Sequence, residues 1–169
     1  MRLFVAINPP PSTVDGLLGL QDDLRAKAGR GNFSLRDNLH MTLAFLGECD
    51  AAAAGAAWAA VKAAEFERFT MVVDRVGCDR HHGRELWWAG VADCRELMTL
   101  QRAVARGLDV RGCEFDRRAF RPHTTLAREV DTTALPWAVE EFSWPVTQVV
   151  LMKSERLEGR LTYTPMNHL

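Results

Sequence analysis

The sequence predicts an α+β or α/β domain built from two similar lobes. The first observation is a repeated tetrapeptide, His-x-Thr-Leu, at His40-Met41-Thr42-Leu43 and again at His123-Thr124-Thr125-Leu126. The second is its register: 83 positions separate the two histidines, and the same offset carries Leu3-Phe4-Val5-Ala6 onto Leu86-Trp87-Trp88-Ala89. The third is order. Each apolar run is followed by a helix-like segment, a polar stretch and then the His motif, which reads as an internal duplication within a single domain spanning residues 1–169.

Taken in order, residues 2–8 form an apolar run suited to a buried central strand, stopped by Pro9, Pro10 and Pro11. Ser12 or Thr13 can cap a helix running to about Ala28, with Leu17, Leu20 and Leu24 as its apolar stripe. Gly29-Arg30-Gly31-Asn32 breaks that helix, Phe33 to Arg36 reads as a short strand, and Asp37-Asn38 as a turn. Leu39 to Leu46 is the first motif strand. Strict alternation puts Leu39, Met41, Leu43 and Phe45 on one face and His40, Thr42 and Ala44 on the other. Asp50 caps an alanine-rich helix reaching about Phe66. Phe69 to Val76 is a strand, Gly77 to Arg84 a polar loop containing His81-His82, and Glu85 to Val91 a second strand. Asp93 caps a helix to about Leu108 with Leu97, Leu100 and Val104 inward. After a connection, 122–128 is the second motif strand. Residues 130–139 are ambiguous, Phe142 to Lys153 reads as one strand, 154–159 as a turn, and Leu161 to Met166 as the last strand.

Composition narrows the class. With 47% hydrophobic and 25% charged residues the chain matches a soluble globular domain. A formal net charge of -1 gives no global electrostatic case for wrapping long nucleic acid. The first residues carry too short an apolar run for a signal peptide, and no stretch reaches the length of a membrane span, so a cytoplasmic protein without membrane contact is expected. Cys49, Cys78, Cys94 and Cys113 are scattered without a C-x-x-C pair and read as packed free thiols; a zinc site would need tighter ligand pairs.

In each motif strand the His and Thr share a face while the Leu anchors the core. Two such strands facing each other would surround a small cleft with two imidazoles and two hydroxyls. Histidines near the unperturbed pKa of about 6.5 can be one neutral and one protonated, an acid–base pair for chemistry on an anionic group. Arg128 follows Thr125 by three positions, so the two share a face only if alternation breaks between them. Trp58, Trp87, Trp88, Trp137 and Trp144 read mostly as core or lobe-interface filler, His81-His82 as a solvated loop, and His168 as a mobile terminal residue.

With its flanks, the motif pair resembles a known family. Arg2-Leu3-Phe4-Val5-Ala6-Ile7, Asn38-Leu39-His40-Met41-Thr42-Leu43-Ala44-Phe45-Leu46-Gly47, Leu86-Trp87-Trp88-Ala89-Gly90-Val91, Phe120-Arg121-Pro122-His123-Thr124-Thr125-Leu126-Ala127-Arg128 and Tyr163-Thr164-Pro165 together look like the 2H phosphoesterase superfamily. Within it they are similar to the RNA 2′,3′-cyclic phosphodiesterase (2′-5′ RNA ligase-like) branch. The resemblance implies an α+β, bilobal fold: two pseudo-symmetric lobes, each with an antiparallel-rich sheet and flanking helices, around a central cleft. It implies hydrolysis of an RNA terminal 2′,3′-cyclic phosphate to a 2′-phosphomonoester, with no cofactor and no metal. Its partners would be such RNA ends or small cyclic nucleotides, and the protein would act as a monomer. It implies His40 as proton donor and His123 as proton acceptor, with Thr42 and Thr125 donating to phosphate oxygens. Arg128 is carried over as a phosphate ligand, with Arg36, Arg121 and Lys153 as secondary contacts to the RNA terminus. Phe45, Phe120, Trp87 and Tyr163 are stacking candidates, although alternation sends Phe45 to the core face. Two rival readings share the cleft: 2′-5′ ligation of RNA ends, and a non-catalytic module that binds RNA termini. A histidine-ligated metal hydrolase is a weaker third.

Overall fold

The computed structural model describes residues 1–81 and 84–166, so His82 and His168 lie outside it. Among the described residues, nine strands and three α-helices run in the order β1 (Arg2–Ile7), α1 (Pro11–Lys27), β2 (Ala28–Phe33), β3 (Met41–Glu48), α2 (Ala51–Ala63), β4 (Phe69–His81), β5 (Arg84–Val91), α3 (Arg95–Asp109), β6 (Thr124–Thr132), β7 (Trp137–Val146), β8 (Val150–Leu157) and β9 (Arg160–Pro165). A 3-10 turn at Arg36–Asn38 leads into β3. The strands form two sheets, β3-β1-β8-β9 and β2-β6-β5-β4-β7, and every pairing is antiparallel. The α+β class with one antiparallel sheet per lobe is therefore the architecture, and the α/β reading falls away.

Local chemistry accounts for several departures from the sequence pattern. Helix α1 starts at Pro11, with Pro10 in the cap position and no side-chain cap; proline is preset for the first helical residue. Thr13, an expected cap, is buried and donates to Ser143 O at 2.8 Å, tying α1 to β7. Cys94 rather than Asp93 occupies the cap position of α3. Asp50 does cap α2, accepting from the Ala53 amide at 2.8 Å. The glycine-rich segment 29–32 is a strand, because β6 supplies its ladder partners. Likewise β4 runs on through Gly77 as one arm of a hairpin with β5. The single strand expected over Phe142 to Lys153 is two, β7 and β8, which belong to different sheets.

The helices exchange sheets. Helix α1 follows β1 yet packs on β2, β6 and β7, whereas α3 follows β5 and packs on β3 and α2. Both layers bury one continuous apolar core that includes Leu17, Leu24, Met41, Trp87, Leu97 and Trp144. A second, smaller cluster of Phe4, Ala6 and Met152, with Phe45, Val150 and Tyr163 against it, covers the opposite face of the first sheet. That face adjoins His40.

Candidate active site

Each His motif runs into a strand with a ladder irregularity at the same place; β3 and β6 start at Met41 and Thr124, so the histidine of each motif stands one residue before its strand rather than within it as alternation expected. In the β1–β3 ladder Val5 pairs with Ala44 but Ala6 pairs with Thr42, so Leu43 is skipped. In the β5–β6 ladder Trp87 pairs with Ala127 and Trp88 with Thr125, so Leu126 is skipped. An extra residue in one strand interrupts alternation. Burial follows: Leu43 and Ala44 are both buried, as are Leu126 and Ala127, with half-buried or exposed residues on either side. Thr125 and Arg128 therefore share the open face, and so do Thr42 and Phe45. The expectation that Phe45 lies on the core face is corrected by this bulge. Phe45 belongs to the cluster beside His40, with the Arg2 guanidinium 4.7 Å from its ring centroid. The ladders also show that the motif threonines face Ala6 and Trp88, so these strands correspond at one position less than the offset of the histidines.

A polar contact from a helix reaches each bulge. Gln21 of α1 is 2% exposed, and its Nε2 donates to Ser34 O and Leu126 O at 2.9 Å each. Gln101 of α3 donates to Leu43 O at 3.4 Å. Gln21 carried no motif signal; a glutamine between Leu20 and Leu24 on the apolar side of α1 was the available clue.

The two imidazoles are held alike. His40 Nδ1 lies 2.7 Å from Asn38 O, and His123 Nδ1 lies 2.7 Å from Arg121 O. A carbonyl only accepts, so Nδ1 carries the proton in both rings and Nε2 is the nitrogen left to accept a further one. His40 Nε2 is 3.0 Å from Thr42 Oγ1, a hydroxyl that can donate to the neutral ring. The His40 ring packs against Phe4 at 4.8 Å and edge-on to Tyr163 at 5.1 Å. This burial is the main cause of a His40 pKa below its ordinary 6.5; the charges of His123 and Arg128 lower it further, and the Asn38 carbonyl opposes them. The site thus draws His40, His123 and Arg128 within electrostatic reach across the two sheets. Burial raises the Tyr163 phenol, against the nearby charges of Arg128 and Arg2.

The remaining candidates separate. Arg128 forms no ion pair among the described residues and is the free cation at the motif. Arg121 lends its carbonyl to His123 while its guanidinium pairs with Asp79 at 3.2 Å. Arg36 turns to Asp15 on α1, 3.4 Å away, rather than to either histidine. Lys153 pairs across the ladder with the core residue Leu3, which puts it on the face opposite the site, and it contacts Glu155 at 3.1 Å. Trp87 is fully buried and so is not placed to stack on a ligand, whereas Phe120 is half-buried with its packed side against the main core. Trp88, read as filler, is half-buried on the open face with its ring 6.5 Å from His123. Among the described residues no three His, Cys, Asp or Glu side chains converge as a metal-ligand set. No described helix is long and apolar enough to cross a membrane.

The sequence matches the family described as the 2′-5′ RNA ligase superfamily over residues 10–158. It is 30% identical to the RNA 2′,3′-cyclic phosphodiesterase of Escherichia coli (strain K12) over 167 residues, 98% of this chain and 93% of that protein. A protein of the same description from Thermotoga maritima is 25% identical over 169 residues, 97% of this chain and 89% of the relative. The fold superposes on the crystal structure of E. coli LigT complexed with 3′-AMP with a TM-score of 0.81 at 30% identity, covering 98% of this chain and 95% of LigT. It superposes on a Thermus thermophilus protein, TT0787, with a TM-score of 0.84 at 26% identity, covering 99% and 96%. Paired His-x-Thr strands on this fold and a match across most of the sequence agree: the chain belongs to the 2′-5′ RNA ligase superfamily of 2H phosphoesterases.

Proposed function

We propose that the protein hydrolyses an RNA terminal 2′,3′-cyclic phosphate to a 2′-phosphomonoester, without a metal, using its two motif histidines. The observation that carries this reading is the matched pair of imidazoles, each with Nδ1 held by a carbonyl at 2.7 Å, together with the unpaired Arg128 nearby. His123 Nε2 takes the proton of the attacking water and His40 Nε2 gives one to the departing 3′-oxygen. Each role is typically worth about 10²–10⁴-fold. In the free protein burial favours neutral His40, whereas the phosphate anion lying against it favours the protonated form needed for donation. Thr42 and Thr125 donate to the non-bridging oxygens and Arg128 balances their charge. Phe45 and Tyr163 supply an aromatic wall for the terminal nucleoside. The names of the E. coli, Aeropyrum pernix and Thermotoga maritima relatives support the same activity.

The test is product analysis on a short RNA ending in a 2′,3′-cyclic phosphate, in EDTA, for wild type, His40→Ala and His123→Ala. Conversion to the 2′-phosphate that collapses in both variants is expected. No turnover by folded wild type, or full activity in either variant, would sink the mechanism.

A further inference from the structure

We propose that Arg2 binds the phosphate on the 5′ side of the terminal nucleoside, so that the substrate class of this site is the end of an RNA chain rather than a cyclic mononucleotide. This rests on the cyclic-phosphate reading above and adds to it how the site tells a chain end from a free nucleotide.

Three observations carry it. The first is placement. In the β1–β8 ladder Phe4 stands across from Met152 and Arg2 across from Ser154, without a register shift between them. Alternation therefore puts Arg2 on the face of the Phe4 cluster, beside His40. Arg2 is exposed there, with its guanidinium 4.7 Å from the Phe45 ring centroid. Second, its charge is uncommitted. Arg2 forms no ion pair among the described residues, and Glu48, its partner across the β3 ladder, contacts the Met1 amine at 3.3 Å instead. Its backbone is nevertheless fixed, because β1 lies between β3 and β8. Third, Arg156 repeats the arrangement. It follows Ser154 on the same face of β8, exposed and likewise without an ion pair among the described residues, its guanidinium donating to Gly159 O at 3.3 Å.

The shape of ribose decides what these cations meet. The cyclic phosphate spans the 2′ and 3′ oxygens and points at the histidines, while the 5′ carbon leaves the opposite edge of the ring. A terminal nucleoside against Phe45 and Tyr163 therefore sends its 5′-oxygen away from the histidines, over the open face of the first sheet. Burial raises the Tyr163 phenol, and the charges that oppose it are those of Arg128 and Arg2. Both guanidiniums thus lie within reach of one aromatic wall, Arg128 for the cyclic phosphate and Arg2 for the preceding one. A planar fork of N–H donors suits that phosphate, and free cations beside aromatic rings suit a single strand. Arg156 extends the track to the next linkage. A cyclic mononucleotide has no such phosphate and leaves Arg2 in water. A net charge of -1 fits a short local track of this kind better than a general attraction for polyanions.

The experiment compares kcat/KM for adenosine 2′,3′-cyclic phosphate with that for a diadenylate ending in the same cyclic phosphate, in wild type, Arg2→Gln and Arg2→Lys. Wild type is expected to prefer the dinucleotide about tenfold, the scale of one exposed charge-assisted contact. Arg2→Gln is expected to lose that preference, while Arg2→Lys keeps about threefold of it. Misfolding or a disturbed Phe45 wall lowers both substrates together and leaves their ratio intact. A third substrate, the dinucleotide with an uncharged methylphosphonate at its internal linkage, is expected to fall to the level of the mononucleotide in wild type. Equal kcat/KM for the mononucleotide and the dinucleotide in wild type overturns the proposal. So does a preference that survives Arg2→Gln or the methylphosphonate, which assigns it to the second base. Turnover of neither substrate by folded wild type instead removes the hydrolase reading, and the proposal with it.

Discussion

Replacing Gln21 by leucine asks whether α1 holds the bulge that turns Arg128 into the cleft. Leucine is apolar and close in volume, so packing survives while two donors disappear. The structure sets the size of the effect. Gln21 Nε2 makes two 2.9 Å bonds, to Ser34 O and Leu126 O. Leu126 O keeps the Ser34 amide at 2.9 Å, but Ser34 O loses its side-chain donor. At about 1 kcal/mol net per bond, Gln21→Leu should lose about 2 kcal/mol. For a chain of this size that corresponds to a Tm lower by about 4–8 °C. Activity should fall further than this, because Thr125 precedes the bulge and Arg128 follows it. With about 2–3 kcal/mol riding on a charge-assisted phosphate contact, an Arg128 displaced by the relaxed bulge would cost roughly tenfold or more in kcat/KM well below the melt. Thermal melts by circular dichroism and turnover of a cyclic-phosphate RNA at about 25 °C read the two effects separately. A Gln21→Leu protein that melts and turns over like wild type would show that the strand ladders alone set the bulge.

Two further outcomes follow from the same geometry. Gly77→Ala drives a methyl to within 2.4 Å of the Trp88 ring, and overpacking of this kind costs about 1–3 kcal/mol; the near-ultraviolet dichroism of the tryptophans should change with the melt, and an unaltered spectrum and Tm would mean the indole moves aside freely. NMR titration should find the His40 midpoint below 6.5 and raised toward it in Arg128→Gln, since Arg128 is among the causes of the depression. The unfolded chain then binds the proton more readily than the folded one, so the His40 contribution is intact above 6.5 and stability is lost as pH falls from there through the folded midpoint. A midpoint at or above 6.5 in the wild type would refute the burial account.

Much of the site was legible because its chemistry is local. His40, Thr42, His123 and Thr125 share a face through strand alternation over only two residues, and alternation holds that far. It failed at Phe45, and left Arg128 undecided, because a bulge is made by the partner strand and its supports, which no short window contains. Trp87 and Trp88 illustrate the same limit. Adjacent tryptophans must point to opposite faces, but which one meets the core depends on the register with β6. Segment 29–32 became a strand against glycine's propensity because β6 offered it a ladder. Strand content at Phe142 to Lys153 was readable, whereas its division between two sheets is a tertiary fact.

The strand orders have a consequence for how the protein assembles. In the first sheet β1 lies between β3 and β8, so Arg2 pairs with Ser154. In the second, β4 lies between β5 and β7, and β2 waits at the edge for β6. Neither sheet can be completed by one half of the chain, and each borrows a helix from the other's sequence. Loop closure over such separations must be met before the contacts that reward it, which makes folding slow and leaves early intermediates with unpaired edges. It also ties the two motifs to one folding event, because each sheet needs strands from both halves of the chain. Amides of β1 and β6 should accordingly exchange by one shared opening, as a single cooperative unit.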